Sequence, residues 1–186
     1  MTVLGFTRPD PTEYAPFYRT YVAQVPEGDL LRILEEQGRG TQRLLAGLSE
    51  TQALHRYAPG KWSVKEVVGH LMDSERVFAY RALRFARADA TALPGFDEQA
   101  WVPAGHFDAR SLPALAAELD QVRRGTLALF RSFDPATLAR RGTANSYEIS
   151  VRALAYVIAG HERHHVGILR ERYWGDAPSP QLGAGG

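Results

Sequence analysis

The sequence predicts an all-α protein, a four-helix bundle with a long crossover connection between helices two and three. Three observations lead there: four long stretches carry apolar residues at three- and four-residue steps, no segment alternates with period two long enough to suggest a strand, and a connection of roughly 20 residues separates the second stretch from the third. A bundle wound simply up and down would need only tight loops, so the long connection implies one crossover.

The elements follow in order. Helix one spans about 29 to 48, where Leu30, Leu31, Ile33, Leu34, Leu44, Leu45 and Leu48 recur behind Asp29 as N-cap, with Gly38 and Gly40 weakening its middle. Pro59-Gly60 breaks the chain, and Ser63-Val64-Lys65-Glu66 is a capping box opening helix two, which runs through Val64, Val67, Val68, Leu71, Phe78 and Leu83 to about Arg87. The irregular stretch containing Pro94-Gly95, Pro103 and Gly105 follows. Ser111 caps helix three, with Leu112, Leu115, Leu119, Val122, Leu127 and Phe130 ending near Phe133 before Asp134-Pro135. Helix four starts near Ile149 and Ser150 and places Val151, Leu154, Ile158, His161, His165, Ile168 and Arg172 on one stripe. The bundle domain is thus expected over residues 29–175. Residues 1–28 form an N-terminal extension whose aromatic segment Pro11 to Val25 predicts a short accessory helix packed on the outside, and the Pro/Gly-rich residues 176–186 read as a flexible tail.

Composition bounds the function. With 186 residues and 45% hydrophobic content the chain suffices for one sizeable core and does not require two domains. It has no cysteine, which excludes disulfides, thiolate zinc sites and a cysteine nucleophile together. Any metal would be held by histidine and carboxylate. Lys plus Arg (22) and Asp plus Glu (21) are interspersed, for a net charge of +1, so no nucleic-acid surface is expected. No run of about 18 apolar residues occurs and Met1 to Pro11 lacks an apolar stretch with basic flanks, so no membrane partner is expected and the location is read as cytoplasmic.

The chemistry centres on three histidines. His161 and His165 are four residues apart, about 40° around a helix, so both imidazoles reach one point beside it, and they lie on the buried stripe itself. His70 sits on the flank of helix two's stripe among Val67, Leu71 and Ser74. Alone it would read as a core-edge histidine bonded to a carbonyl. The pair on helix four changes that reading, since burying four ring nitrogens on an apolar stripe is costly unless something satisfies them. Three imidazoles would leave one position of a divalent ion open, as catalytic sites do and structural sites do not. His164 points away from the stripe and reads as a neighbour of the site or a surface group. His55 and His106 lie in irregular segments and read as solvated.

His161-Glu162-Arg163-His164-His165 also satisfies H-E-x-x-H, the zinc-protease pattern in which the glutamate is general base. The longer metzincin form needs Gly and His where Ile168 and Glu171 stand, and the lack of strands removes the usual support for an extended peptide. The protease reading is therefore disfavoured.

The segments Trp62-Ser63-Val64-Lys65-Glu66-Val67-Val68-Gly69-His70-Leu71-Met72-Asp73-Ser74-Glu75 and Ala159-Gly160-His161-Glu162-Arg163-His164-His165, paired at this separation, resemble the DinB/YfiT-like superfamily of metal-dependent hydrolases and thiol-dependent S-transferases. The resemblance spans about Leu30 to Tyr173. It implies a four-helix bundle with crossover connectivity, a divalent metal at the residues matching His70, His161 and His165, often a homodimer, and no nucleic-acid activity. Zinc is the first expectation for the ion, with nickel, iron or manganese as alternatives. The expected function is transfer of a low-molecular-weight thiol of the bacillithiol type to a small electrophile. Hydrolysis of a small molecule is the alternative, and a non-catalytic helical dimer with a structural metal, using Tyr14, Phe17, Tyr18 and Tyr21 as interface, is a third. No catalytic residue is assigned: Glu75 and Glu162 are weak candidates to orient an imidazole or move a proton, Asp73 reads as a solvated charge, and Trp62 and Arg81 as pocket or packing residues.

Overall fold

The computed structural model describes residues 6–173. Eight α-helices occur among them: α1 (Arg19–Gln24), α2 (Leu30–Ala46), α3 (Glu50–Ala53), α4 (Val64–Ala86), α5 (Glu98–Ala104), α6 (Leu112–Arg131), α7 (Pro135–Leu138) and α8 (Val151–Ile168), the last continued by a π-helical turn, Leu169–Tyr173. The four long ones, α2, α4, α6 and α8, are the helices expected from the periodicity. Their starts follow from side-chain caps: Asp29 accepts from the N–H groups of Leu31 and Arg32, Ser63 and Glu66 form the reciprocal capping box, Ser111 accepts from Ala114 and Ser150 from Ala153. No helix of the described residues is long and apolar enough to cross a membrane.

Two apolar clusters set the direction of each long helix. One gathers Leu30 and Leu34 from the start of α2, Phe78 and Phe85 from the end of α4, Leu127 and Phe130 from the end of α6, and Val151 to Ala159 from the start of α8. The other takes Leu45 from the end of α2, Val64 to Met72 from the start of α4, Leu112 to Leu119 from the start of α6, and Leu169 and Tyr173 beyond α8. Hence α2 and α8 run one way, α4 and α6 the other. α2 packs on α6 and α8 on α4, and the parallel pairs also meet, α2 with α8 and α4 with α6. Parallel neighbours cannot be joined by a tight loop. The connection from α4 to α6 must return along the bundle, and it carries α5 and a 3-10 turn, Phe107–Ala109, as it does so.

Between the clusters lies a polar waist. Arg123 of α6, only 4% exposed, donates two hydrogen bonds to Glu75 of α4 (2.9 and 2.8 Å), one to Glu162 of α8 (2.9 Å) and one to the carbonyl of Leu34 in α2 (2.8 Å). One guanidinium thus ties all four helices. Glu162 also accepts from Thr41 (2.6 Å) and Gln37 (3.0 Å) of α2, which completes the shell a buried charge needs.

One sequence expectation is corrected. A β-hairpin is present, β1 (Arg141–Ala144) pairing antiparallel with β2 (Tyr147–Ser150). Its strands are four residues long, too short to establish alternation, and its turn, Asn145-Ser146, has φ of 50° and 66°, the two left-handed residues of a type I′ turn made without the glycine that usually announces it. Backbone bonds from Leu93 to Thr143 (2.9 Å) and from Asn145 to Leu93 (3.0 Å) fasten the long crossover to this hairpin. The accessory helix α1 packs closely along α8 through Val22, with Arg19, Thr20, Ala23 and Gln24 exposed. The tail 176–186 lies outside the described residues.

Two outcomes test this fold. Arg123→Ala strands two buried carboxylates and should cost roughly 3–5 kcal/mol of stability, measured by denaturant unfolding. Glu13 in the N-terminal segment is buried, which opposes its charge, but bonds from Arg152, Ser150 and the Asp10 N–H outweigh this and hold its pKa at about 2 against an ordinary 4.5. A folded-state pKa below the unfolded one adds stability that is complete above about pH 4.5 and is lost as pH falls toward 2. Glu13→Gln should therefore flatten the loss of melting temperature over that interval.

Candidate metal centre

The helix spacing places His161 and His165 on the face of α8 that meets α4, where His70 arrives from the opposite direction. Both approaches depend on a glycine immediately before a histidine. A Cβ on Gly69 would lie 2.3 Å from the ring of Phe107, and one on Gly160 would lie 2.0 Å from the carbonyl oxygen of Tyr21. These two positions let the crossover and α1 seat directly against the histidine-bearing turns. A larger residue at Gly160 would push away Tyr21, a wall of the site, and one at Gly69 would displace Phe107 from the apolar cluster beneath it.

One nitrogen from each of His70, His161 and His165 lies within 4.8 Å of the others, and they are the group of metal-ligating size among the described residues. The Nε2 atoms of His70 and His161 are 2.9 Å apart. Burial lowers the pKa of His70 to about 4, and burial together with the neighbouring imidazoles lowers His165 to about 3 and His161 well below its ordinary value. All three are therefore neutral near pH 7, with a lone pair available on each ring. The Ser74 hydroxyl lies 3.5 Å from His70 Nδ1, on the side away from the cluster, where it can accept the N–H of the tautomer whose Nε2 lone pair faces inward. This donor set suits a borderline divalent cation, and three donors leave it an open coordination position.

That open side faces a cleft of about 530 Å³. Its aromatic wall includes Tyr18, Tyr21, Trp62, Phe78 and Phe96, and its polar rim Glu98, Gln99 and Asn145. Trp62 packs on His70 with ring centroids 4.9 Å apart, and Tyr21 on His161 at 5.4 Å. Tyr18 and Tyr21 are thus part of the site, while Phe17 remains 48% exposed at its edge and Tyr14 is buried. Periodicity could not find the wall from α1, α5 and the hairpin, because none of these short elements carries a pattern that points at the histidines. Arg81 and Trp62, named from the sequence without a role, both line the cleft.

The remaining sequence candidates lie elsewhere. Glu162 and Glu75 point into the polar waist and are engaged by Arg123. Glu162 stands about 100° around α8 from His161, so the H-E-x-x-H pattern does not bring its glutamate to the cluster. His164 packs on Tyr21 at 5.3 Å, outside the group of three. Asp73 is half-buried and pairs with Arg76 at 3.4 Å; burial raises its pKa and Arg76 opposes the rise. His55 is exposed beside Tyr173, and His106 is exposed in a left-handed turn with φ 49°.

Substitutions separate the ligands from their neighbours. Replacing His70, His161 or His165 by Ala should each reduce zinc affinity by at least a hundredfold in calorimetric titration, since two donors remain. His164→Ala should leave it unchanged. Retention by His165→Ala with loss by His164→Ala would show that the other imidazole is the donor.

Comparison with known proteins agrees with this architecture. The sequence model of the DinB superfamily matches residues 33–169. A Bacillus licheniformis protein, named as a proposed metal-dependent hydrolase, is 32% identical over 131 residues, covering 67% of this chain and 72% of its own. Among solved structures, YfiT from Bacillus subtilis, described as a probable metal-dependent hydrolase with an unusual four-helix bundle topology, superposes with a TM-score of 0.72 at 21% identity over 86% of this chain and 91% of its own. The mycothiol-dependent maleylpyruvate isomerase superposes at 0.64 with 12% identity, over 86% of this chain and 67% of its own. At such identities the structural likenesses speak for the fold alone. The family match spans all four long helices and both histidine-bearing segments, and by it the chain belongs to the DinB superfamily.

Proposed function

We propose that the chain is a divalent-metal-dependent enzyme that joins a low-molecular-weight thiol to a small electrophile in the histidine-lined cleft. The observation that carries the reading is the convergence of three neutral imidazoles at the floor of a cleft, with both nearby glutamates turned away into the Arg123 network. His70, His161 and His165 would hold the ion. When bound, a divalent ion supplies Lewis acidity and lowers the pKa of a thiol or water beside it.

The chain's residues perform the rest. Ser74 orients His70, and Tyr21 and Trp62 fix the planes of His161 and His70 by packing. The aromatic wall limits access of bulk water and offers flat apolar surface to a substrate body. With Glu162 and Glu75 bound by Arg123, neither is placed to act as general base. A thiol, which ionises near pH 8.5 unaided, needs less help than water at 15.7, and this favours the thiol as nucleophile.

Hydrolysis is the second reading, and the name of the Bacillus licheniformis relative favours it. The two differ in what must be added. Protein purified without an affinity tag, loaded with zinc and mixed with 1-chloro-2,4-dinitrobenzene should form the thioether only when a thiol such as bacillithiol is supplied, at a rate above the uncatalysed one. Ester turnover by the metal-loaded protein in water alone, with no thiol-dependent reaction, would assign the hydrolase instead. Glu162→Gln should leave zinc stoichiometry intact and keep most of the thiol-dependent rate, whereas loss of a peptidase activity in that variant would restore the protease pattern.

A further inference from the structure

Six charged side chains are buried among the described residues: Glu13, Lys65, Glu75, Arg81, Arg123 and Glu162. Five have an opposite charge within 4.0 Å: Glu13 with Arg152, Lys65 with Glu50, and Glu75 and Glu162 with Arg123. Arg81, 3% exposed, has none among the described residues. A guanidinium withdrawn from water without an anion is costly, and this one lines the histidine cleft.

Its surroundings position it but do not neutralise it. Nη2 donates to the carbonyl of Pro94 in the crossover at 2.8 Å. The guanidinium carbon lies 5.9 Å from the ring centre of Phe78 and 5.8 Å from that of Phe96, so two aromatic faces hold its plane. Side chains on a helix lean toward its N-terminus, which aims Arg81 back along α4 toward His70. Phe78 neighbours both Arg81 and the histidine group, its ring centre 5.9 Å from the guanidinium carbon and 5.9 Å from the ring of His161.

We infer that Arg81 is the docking point for the carboxylate of the substrate, so that the molecule acted upon is a small monocarboxylic acid lying across Phe78 with its far end at the three histidines. A guanidinium presents paired N–H donors that match a carboxylate, and binding one would supply the missing counter-charge. A dianionic phosphate suits the site less well, because the cleft's other charged wall residue is Glu98, which would repel a second negative charge. The inference names the substrate class of the proposed metal site and so rests on that site's being the reaction centre, but the anion contact is independent of any metal.

That independence makes it testable on metal-free, full-length protein. By calorimetry or ligand-observed NMR, 3-phenylpropanoate should bind at least tenfold more tightly than 3-phenylpropanamide, which has the same shape without the charge, and the preference should weaken as salt is raised. Arg81→Lys should keep a reduced preference for the acid, and Arg81→Gln should abolish it. Equal binding of acid and amide by the unaltered protein, no binding of the acid, or an acid preference that survives Arg81→Gln would each overturn the inference. Should Arg81→Gln fail to fold, the acid-against-amide comparison in the unaltered protein decides alone. Failure of the metal reading shows differently, as absent zinc stoichiometry in a protein that still prefers the acid.

Discussion

The contact between Arg123 and its two glutamates organises this molecule. Placed between two apolar clusters, it is the one layer where all four long helices meet through polar groups, and it can be satisfied only in a single register of the helices. Apolar layers tolerate sliding by a turn at modest cost, whereas a displaced guanidinium would leave buried carboxylates bare. The register it imposes is the one that brings His161 level with His70. Glu162 follows His161 in the chain and Glu75 follows Ser74, so the anchoring residues and the site residues are chain neighbours facing opposite sides of the same helix turns. Two carboxylates against one guanidinium also leave an excess negative charge behind three neutral imidazoles, a field that favours a cation at their open side.

Helix direction explains where the cleft is. Because α4 runs parallel to α6, the chain needs a long return between them, and it holds α5 and a 3-10 turn; the connection from α6 to α8 joins helix ends in the same apolar cluster and holds α7 and the hairpin. They close over the side of the bundle where α4 meets α8. The histidines therefore belong to the rigid scaffold, while Phe96, Glu98, Gln99 and Asn145 come from connecting segments. Such a division keeps the metal-sized group fixed and leaves substrate choice to loops.

Buried charge separates scaffold from function in the same way. Among the described residues every buried side-chain nitrogen or oxygen of the waist has a hydrogen-bond partner, apart from one oxygen of Gln37, and the waist does not line the histidine cleft. Arg81 differs in place and in charge. It lies on the cleft and its charge is unmatched, so the two buried arginines, similar in exposure, have different physical tasks.

Local physics was enough to read the four long helices, the caps at Asp29, Ser63 and Ser111, and the shared face of His161 and His165, because each depends on residues within four positions of one another. The parallel pairing that requires a crossover was also foreshadowed by connection length. The hairpin escaped notice because two four-residue strands carry too little alternation, and its Asn-Ser turn lacks glycine. Where α1 seats on α8 is not local information either, because nothing near it reveals that Gly160, more than a hundred residues away, leaves room for the carbonyl of Tyr21. Nor could spacing distinguish Glu162 in the anchoring layer from Glu162 as a base beside the histidines. That was decided by Arg123, whose long side chain reads along its own helix as an ordinary polar residue and finds both carboxylates only when α4, α6 and α8 are packed together. The sequence by itself determined which residues could act within one helix turn; tertiary structure decided which of them face one another, since ion pairing, burial and cleft formation depend on distances between segments that no local period encodes.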